Sequence, residues 1–205
     1  GGFAMEPKMR ASLAVLHAFN LLTPMQTQMF TVALPVALVH ALHYSPSVIG
    51  LLLLVMVLGV LVASALQPRL LSFLSPAQYF RRVLALRAAA NLLHALALTY
   101  LDARPPLLLL LFLSRFAHGL TLGAAAVSLA WIGVHVPADA RRGAIAQLQG
   151  FLLVGSLLGL LAGGLLSAIT SDLTLAAAAP GYATAALSLV QIGALHAFDD
   201  RGLLP

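Results

Sequence analysis

The sequence predicts an all-α membrane protein, a bundle of six transmembrane helices. Of its 205 residues, 61% are hydrophobic and only 8% are charged, and the mean hydropathy is +0.99. Soluble domains carry about 25% charged residues, so this composition is typical of the membrane class. Apolar runs of about 20 residues, the length that crosses a bilayer, recur along the chain. A backbone in lipid must satisfy its hydrogen bonds internally, which favours helices.

Six apolar segments meet this length requirement. The predicted spans cover residues 13–38, 48–66, 83–101, 107–134, 145–169 and 175–198. Pro24 and Pro35 interrupt the first span, and Pro180 and Gly181 fall within the first turns of the sixth. The connections are short, as in a compact bundle. The sequence therefore predicts a single six-helix domain over residues 1–205.

Basic residues concentrate in the loops on one side of this bundle. That side holds Lys8, Arg10, Arg69, Arg81, Arg82, Arg141, Arg142 and Arg201, whereas the opposite loops hold Arg104 beside Asp102, and Asp172. Because loops rich in Lys and Arg stay in the cytoplasm, both termini are predicted to be cytoplasmic. This distribution favours an orientation signal over nucleic-acid binding. We expect the chain to lie in the lipid bilayer of a bacterial inner (plasma) membrane.

Charged and titratable side chains inside the spans are candidate functional residues. Arg115 lies about nine residues from the external end of the fourth span, about 14 Å deep at 1.5 Å per residue. Arginine at such depth is costly and indicates a functional site, although it could instead bond backbone carbonyls or extend outward. His118 shares its helix face and could relay protons or simply pack, as could His17 and His94. Arg87 lies near the cytoplasmic end of the third span and is expected to extend towards the interface.

A polar patch occupies the middle of the first span, around Pro24. It consists of Asn20, Thr23, Gln26 and Thr27. Helix-breaking residues are tolerated in a membrane where a cavity or polar groups satisfy the freed carbonyl. The patch is therefore predicted to line a cavity, and hydrogen bonding between helices without a ligand is the alternative.

Glycines recur at every fourth position of the fifth span, at Gly155, Gly159 and Gly163, and are followed by Gly164. This spacing makes a flat face that another helix can approach closely. The spacing alone leaves open whether that helix belongs to this bundle or to a partner.

These segments resemble motifs of the major facilitator superfamily, in particular the amino-terminal six-helix half of a twelve-helix transporter. Residues 115–119, RFAHG, are similar to its R-x-x-x-G pattern on the fourth helix. Residues 155–164, GSLLGLLAGG, are similar to the antiporter motif G-x-x-x-G-P-x-x-G-G, with Leu160 in place of the proline. Residues 31–35, TVALP, are similar to a T/N-V-A-L-P segment of drug-efflux members.

The chain also departs from the family pattern in two places. The loop between the second and third spans usually reads G-x-x-x-D-R-x-G-R-R and acts as a conformational latch. Here Arg81 and Arg82 retain its basic end, but the aspartate is absent. Gln26 stands where drug/proton antiporters often carry an acid, and residues 199–201, DDR, fall where a full transporter would enter its second bundle.

The resemblance implies two three-helix repeats forming half of a secondary transporter, which moves a small organic solute by alternating access, with efflux favoured over uptake. Cavity contacts would come from Asn20, Gln26, Thr27, Arg115 and His118, with Arg115 recognising charge. The four glycines would pack against a second six-helix bundle, either a second copy or a separate chain. The alternative is a non-transporting subunit that stabilises or assembles a larger membrane complex. We predict no cofactor, metal site or enzymatic activity, because neither H-E-x-x-H nor G-x-S-x-G spacing occurs.

Overall fold

A computed structural model of the chain describes residues 7–100, 104–168 and 171–199, and every regular element in this part is helical. The elements are α1 (Pro7–Gln28), α2 (Phe30–Val36), a π-helical turn (Ala37–Ala41), α3 (Pro46–Phe73), α4 (Pro76–Tyr100), α5 (Arg104–Leu122), α6 (Ala124–His135), α7 (Ala138–Ala168) and α8 (Leu173–Asp199).

Six segments are long and apolar enough to cross a membrane. These are Pro7–Ala41, Pro46–Phe73, Pro76–Tyr100, Pro105–His135, Ala138–Ala168 and Leu173–Ala197, numbered here as the first to sixth spans. The predicted all-α fold with six spans is thereby confirmed. Several helices begin earlier than the apolar runs, because their more polar first turns are also helical. The predicted ends at residues 101 and 169, and the residues Asp102 and Arg201, lie outside the described residues.

Local sequence explains where the helices start. Proline is the first residue of α1, α3 and α4, where its missing N–H would have had no partner in the helix. Asp172 caps α8, because its Oδ1 accepts the backbone N–H groups of Thr174 and Leu175 at 2.9 and 3.2 Å. The Thr174 hydroxyl also donates to this oxygen at 2.6 Å. These hydrogen bonds, first of all that from the hydroxyl, lower the pKa of Asp172 below its usual value.

Two spans are interrupted near their middle. The first span breaks at Met29 between α1 and α2, and it ends in the π-helical turn that follows Pro35. Proline lacks a donor and crowds the preceding turn, which disturbs the regular ladder of hydrogen bonds. The fourth span breaks at Gly123, between α5 and α6, where the sequence predicts one continuous helix.

The pairing of spans reveals an internal symmetry. The most extensive contacts join the third span to the sixth, the first to the fifth and the second to the fourth. The symmetry exchanges the first span with the fourth, the second with the fifth and the third with the sixth. This exchange turns the first–fifth pair into the fourth–second pair and leaves the third–sixth pair unchanged. This agrees with the predicted pair of three-helix repeats.

Two apolar clusters enclose a polar layer. One cluster lies towards the cytoplasmic side of the predicted topology and includes Leu16, Phe80, Trp131 and Leu148. The other lies towards the opposite end and includes Leu38, Leu98, Leu107 and Leu111. The candidate site occupies the layer between them.

Candidate functional site

Many polar side chains lie in the interior of the described bundle. The buried polar residues are Ser12, Asn20, Thr23, Gln26, Arg87, Asn91, His94, Ser114, Arg115, His118, Thr121, Ser128, Thr184, Ser188 and Gln191. Polar groups buried away from water are stable only when they find partners. Most of these side chains are hydrogen-bonded, and two groups of them surround the two arginines.

Arg115, on α5, is buried against the first and third spans. Its guanidinium carbon lies 4.2 Å from the centre of the Phe30 ring, within the range of a cation–π contact. Its Nη2 lies 3.3 and 3.4 Å from the two ring nitrogens of His94. Its Nε is buried and has no hydrogen-bond partner among the described residues. The predicted functional arginine is therefore inside the bundle, and its donors are incompletely satisfied.

His118 bridges the third and first spans. Its Nδ1 lies 3.1 Å from Oδ1 of Asn91, and its Nε2 lies 3.2 Å from the hydroxyl oxygen of Thr27. Because Asn91 Oδ1 can only accept, the contact between these two atoms has Nδ1 as its donor, and the neutral ring then has Nε2 as an acceptor. The Thr27 hydroxyl also lies 3.0 Å from the carbonyl oxygen of Thr23.

Arg87, on α4, forms the second group and is completely buried. Its Nε donates to the Thr121 hydroxyl at 3.0 Å, its Nη2 donates to the Thr121 carbonyl at 2.9 Å, and its Nη1 donates to Gln26 Oε1 at 3.2 Å. Gln26 in turn donates from Nε2 to Gln191 Oε1 at 2.7 Å. This group joins the first, third, fourth and sixth spans through neutral acceptors.

The expectation that Arg87 extends towards the interface is wrong. The apolar run of the third span begins at residue 83, but α4 begins at Pro76 and places Arg87 eleven residues inside the helix. At 1.5 Å per residue this is about 16 Å from the start of the helix, where the side chain is completely buried. A guanidinium at that depth meets polar partners inside the bundle, as observed.

A cavity of about 320 Å³ opens beside Arg115, between the first, second and fourth spans. The first span contributes Thr27, Gln28, Phe30, Thr31, Leu34, Pro35 and Leu38, the second contributes Ile49, Leu52, Leu53 and Met56, and the fourth contributes Arg115. Its volume lies at the lower end of the range of small-molecule pockets, about 300–1,000 Å³.

The predicted cavity residues divide into two sets. Arg115 and Thr27 line the cavity, and His118 contacts it through Thr27. Gln26 is not among the lining residues, because its amide is engaged by Arg87 and Gln191. Asn20 is also absent from the lining, since its Nδ2 donates to the Leu16 carbonyl and to Ser128 Oγ. Both amides thus make hydrogen bonds between helices, Gln26 with Arg87 and Gln191 and Asn20 with Ser128, and their role as cavity contacts stays a prediction.

The glycines of α7 pack inside the bundle. A Cβ added at Gly155, Gly159 or Gly163 would collide with the backbone of the first span, at Leu21, Met25 and Met29 respectively, whereas one added at Gly164 meets nothing within 4 Å. The equivalent contact in the other repeat is between Gly59 of the second span and Gly119 of the fourth. The first three glycines thus hold the fifth span against the first, which is the alternative of packing within the bundle that the spacing left open.

Acidic side chains are absent from the described interior. Asp139 and Asp172 are exposed, at the start of α7 and α8. No cluster of three metal-ligating side chains occurs in the part of the chain that the structure describes. Arg87 and Arg115 therefore place two positive charges in the polar layer without a described carboxylate near them.

Sequence reasoning missed Phe30 and Gln191 as site residues. In the sequence, nothing distinguishes Phe30, which contacts Arg115, from the other apolar residues of its span. Gln191 lies 165 positions from Gln26, with which it forms a hydrogen bond. The position of Gln191 inside an apolar span was a usable signal, because polar side chains there need partners.

Six apolar helices around a polar interior define a polytopic helical membrane protein. The sequence model of the Major Facilitator Superfamily matches residues 16–202, so the chain belongs to this superfamily of transporters. Searches of curated proteins and of solved structures each gave no match.

Proposed function

We propose that the chain forms one half of a secondary transporter that carries a small organic solute across the membrane by alternating access. The observation that supports this most directly is the cavity of about 320 Å³ beside Arg115, in a member of a transporter superfamily. A cation buried inside a membrane protein is energetically costly, and such residues usually mark a functional site. Arg115 and Thr27 would contact the solute, and His118 would hold Thr27 in place.

The second half of the transporter would pack on the exposed faces of the second and fifth spans. In each of these spans only 17% of the most apolar window is buried, against 44–50% in the other four. Both faces carry large apolar side chains, such as Leu54 and Leu61 on α3 and Leu157 and Leu161 on α7. A second six-helix bundle, from another copy or a separate chain, would cover these faces and rock against this one.

The same faces also favour a second candidate function. A non-transporting subunit that stabilises a larger membrane complex would use them as permanent contacts with other membrane proteins. The two candidates differ in whether the cavity changes its accessibility. For a transporter we further propose efflux across a bacterial inner membrane, with both termini in the cytoplasm.

Cysteine accessibility separates the two candidates, because the chain contains no cysteine of its own. Met56→Cys places a thiol in the cavity wall, and Leu109→Cys places one on an exposed apolar face as a control. We expect an impermeant thiol reagent to label Met56→Cys from both membrane sides, in intact cells and in inverted vesicles, and to leave Leu109→Cys unlabelled. Labelling of Met56→Cys from one side only would contradict alternating access and favour the subunit.

A further inference from the structure

The two buried arginines differ in how their donors are satisfied. Arg87 donates to three oxygen atoms, two of Thr121 and one of Gln26. Arg115 has the ring of His94 beside Nη2 and no described acceptor at Nε. A buried charged donor without a partner is costly, so Arg115 is the cation that lacks an acceptor.

The charge of the polar layer restricts what can supply that acceptor. Arg87 and Arg115 are both buried, and the described acids Asp139 and Asp172 lie on the surface. A cationic solute would meet two uncompensated positive charges in a medium of low dielectric constant. An anionic oxygen at the part of Arg115 that lines the cavity would offset this charge.

The rest of the cavity wall is mostly aliphatic. Leu34 and Leu38 approach from the first span, and Ile49, Leu52 and Leu53 approach from the second. The hydroxyl of Thr31 donates to Gln28 Oε1 at 2.8 Å and is therefore already engaged. A ligand in this space would bury an apolar body and place one charged group at Arg115.

From these observations we propose that the carried solute is a small organic monoanion, whose carboxylate binds Arg115 and whose apolar body lies against the aliphatic wall. The inference rests on the proposed transport function and names the substrate class of the same site. Carboxylate is the expected head group because a guanidinium can offer it two parallel N–H donors. An anionic lipid head group presents similar oxygen atoms, so the test must separate a free solute from a lipid.

Binding by the purified protein in phosphatidylcholine nanodiscs tests the inference. Three carboxylates (benzoate, phenylacetate and hexanoate) are compared with their neutral amides and with benzylammonium by titration calorimetry. At least one carboxylate is expected to bind at least tenfold more tightly than its amide, since a hydrogen bond to a charged group has about this effect. Equal affinities for acids and amides, or no binding by any of the three acids, would overturn the proposal.

Two variants connect binding to the cavity. Arg115→Gln is expected to lower the affinity for the best carboxylate at least tenfold, whereas Arg82→Gln, which changes an exposed arginine outside the cavity, should leave it unaltered. Should Arg115→Gln fail to fold, Leu53→Trp fills the cavity from a residue that is 55% exposed and should also weaken binding. Carboxylate binding that survives a folded Arg115→Gln or Leu53→Trp variant would place the site elsewhere.

The remaining comparisons separate the possible failures. An affinity that falls when phosphatidylglycerol replaces phosphatidylcholine, with competitive behaviour, would overturn a free solute in favour of a lipid head group. An unchanged affinity supports the solute. Carboxylate binding together with one-sided labelling of Met56→Cys would support the anion site and contradict the transport function. Two-sided labelling without carboxylate binding would support the transport function and contradict the proposed anionic substrate.

Discussion

The guanidinium of Arg115 lies over the ring of Phe30, with 4.2 Å between its central carbon and the ring centre. This contact places a charge of the fourth span on an aromatic face of the first. Phe30 also meets His94 edge to face, with 4.9 Å between the ring centres. Phe30 therefore joins the cation to a residue of the third span and holds it at the cavity wall.

Phe30→Leu should lower the free energy of unfolding by about 2 kcal/mol, because a desolvated cation–π contact contributes about that much. Unfolding in mixtures of dodecyl maltoside and dodecyl sulfate measures this. The matched control is Phe151→Leu, which changes a phenylalanine that stacks on His17 at the more exposed fifth span. An equal loss in both variants would show that ring volume, rather than the contact with Arg115, determines the effect.

Arg87→Met should destabilise the bundle by about 3 kcal/mol. The substitution keeps much of the side-chain length but leaves acceptors on Thr121 and Gln26 without a donor, and each unsatisfied buried group costs about 1–3 kcal/mol. The exposed Arg82→Met is the control, and the same unfolding assay measures both. A stability equal to that of the unchanged protein would mean that desolvation of Arg87 offsets all three of its hydrogen bonds.

Gly159→Ala should prevent the first and fifth spans from packing, because the added Cβ would collide with the backbone of Met25. Overpacking against a side chain costs about 1–3 kcal/mol, and a collision with backbone should cost at least that much. Gly164→Ala in the same helix should be tolerated, since nothing lies within 4 Å of its Cβ position. Size-exclusion profiles of the two variants in detergent measure this, and monodisperse Gly159→Ala would contradict it.

Gly164→Leu tests the proposed partner separately. A smaller particle mass in detergent, with the bundle still folded, is expected if a second bundle covers this side of α7. An unaltered mass would mean that the partner binds another face of the bundle or that no partner is present.

Single cysteines test the proposed orientation. Arg142→Cys lies at the start of α7 and should resist an impermeant thiol reagent added to intact cells, whereas Ser171→Cys, before α8, should react. Both residues are exposed, and Ser171 is chosen because Asp172 caps the helix. The reverse pattern of labelling would place both termini outside the cytoplasm.

The six spans could be predicted from the apolar runs of the sequence, because a backbone in lipid must satisfy its hydrogen bonds within helices. The depth of Arg87 did not follow, since apolar runs show where a span is hydrophobic and not where its helix begins. The glycine spacing predicted a close approach but could not identify the approaching helix. The bond between Gln26 and Gln191 joins residues that only the tertiary fold brings together, so the interpretation of Gln26 as a cavity contact could not be tested against the sequence.

The glycine crossings also join four of the spans into two closely packed pairs. The fifth span is interlocked with the first at Gly159, and the second with the fourth at Gly119, so each pair resists separation. The cavity lies between these two pairs, at a boundary formed by side chains rather than by touching backbones. A small rotation of one pair against the other would therefore change the size of the solute compartment without disturbing either crossing. The cavity therefore lies at a boundary that neither glycine crossing holds together.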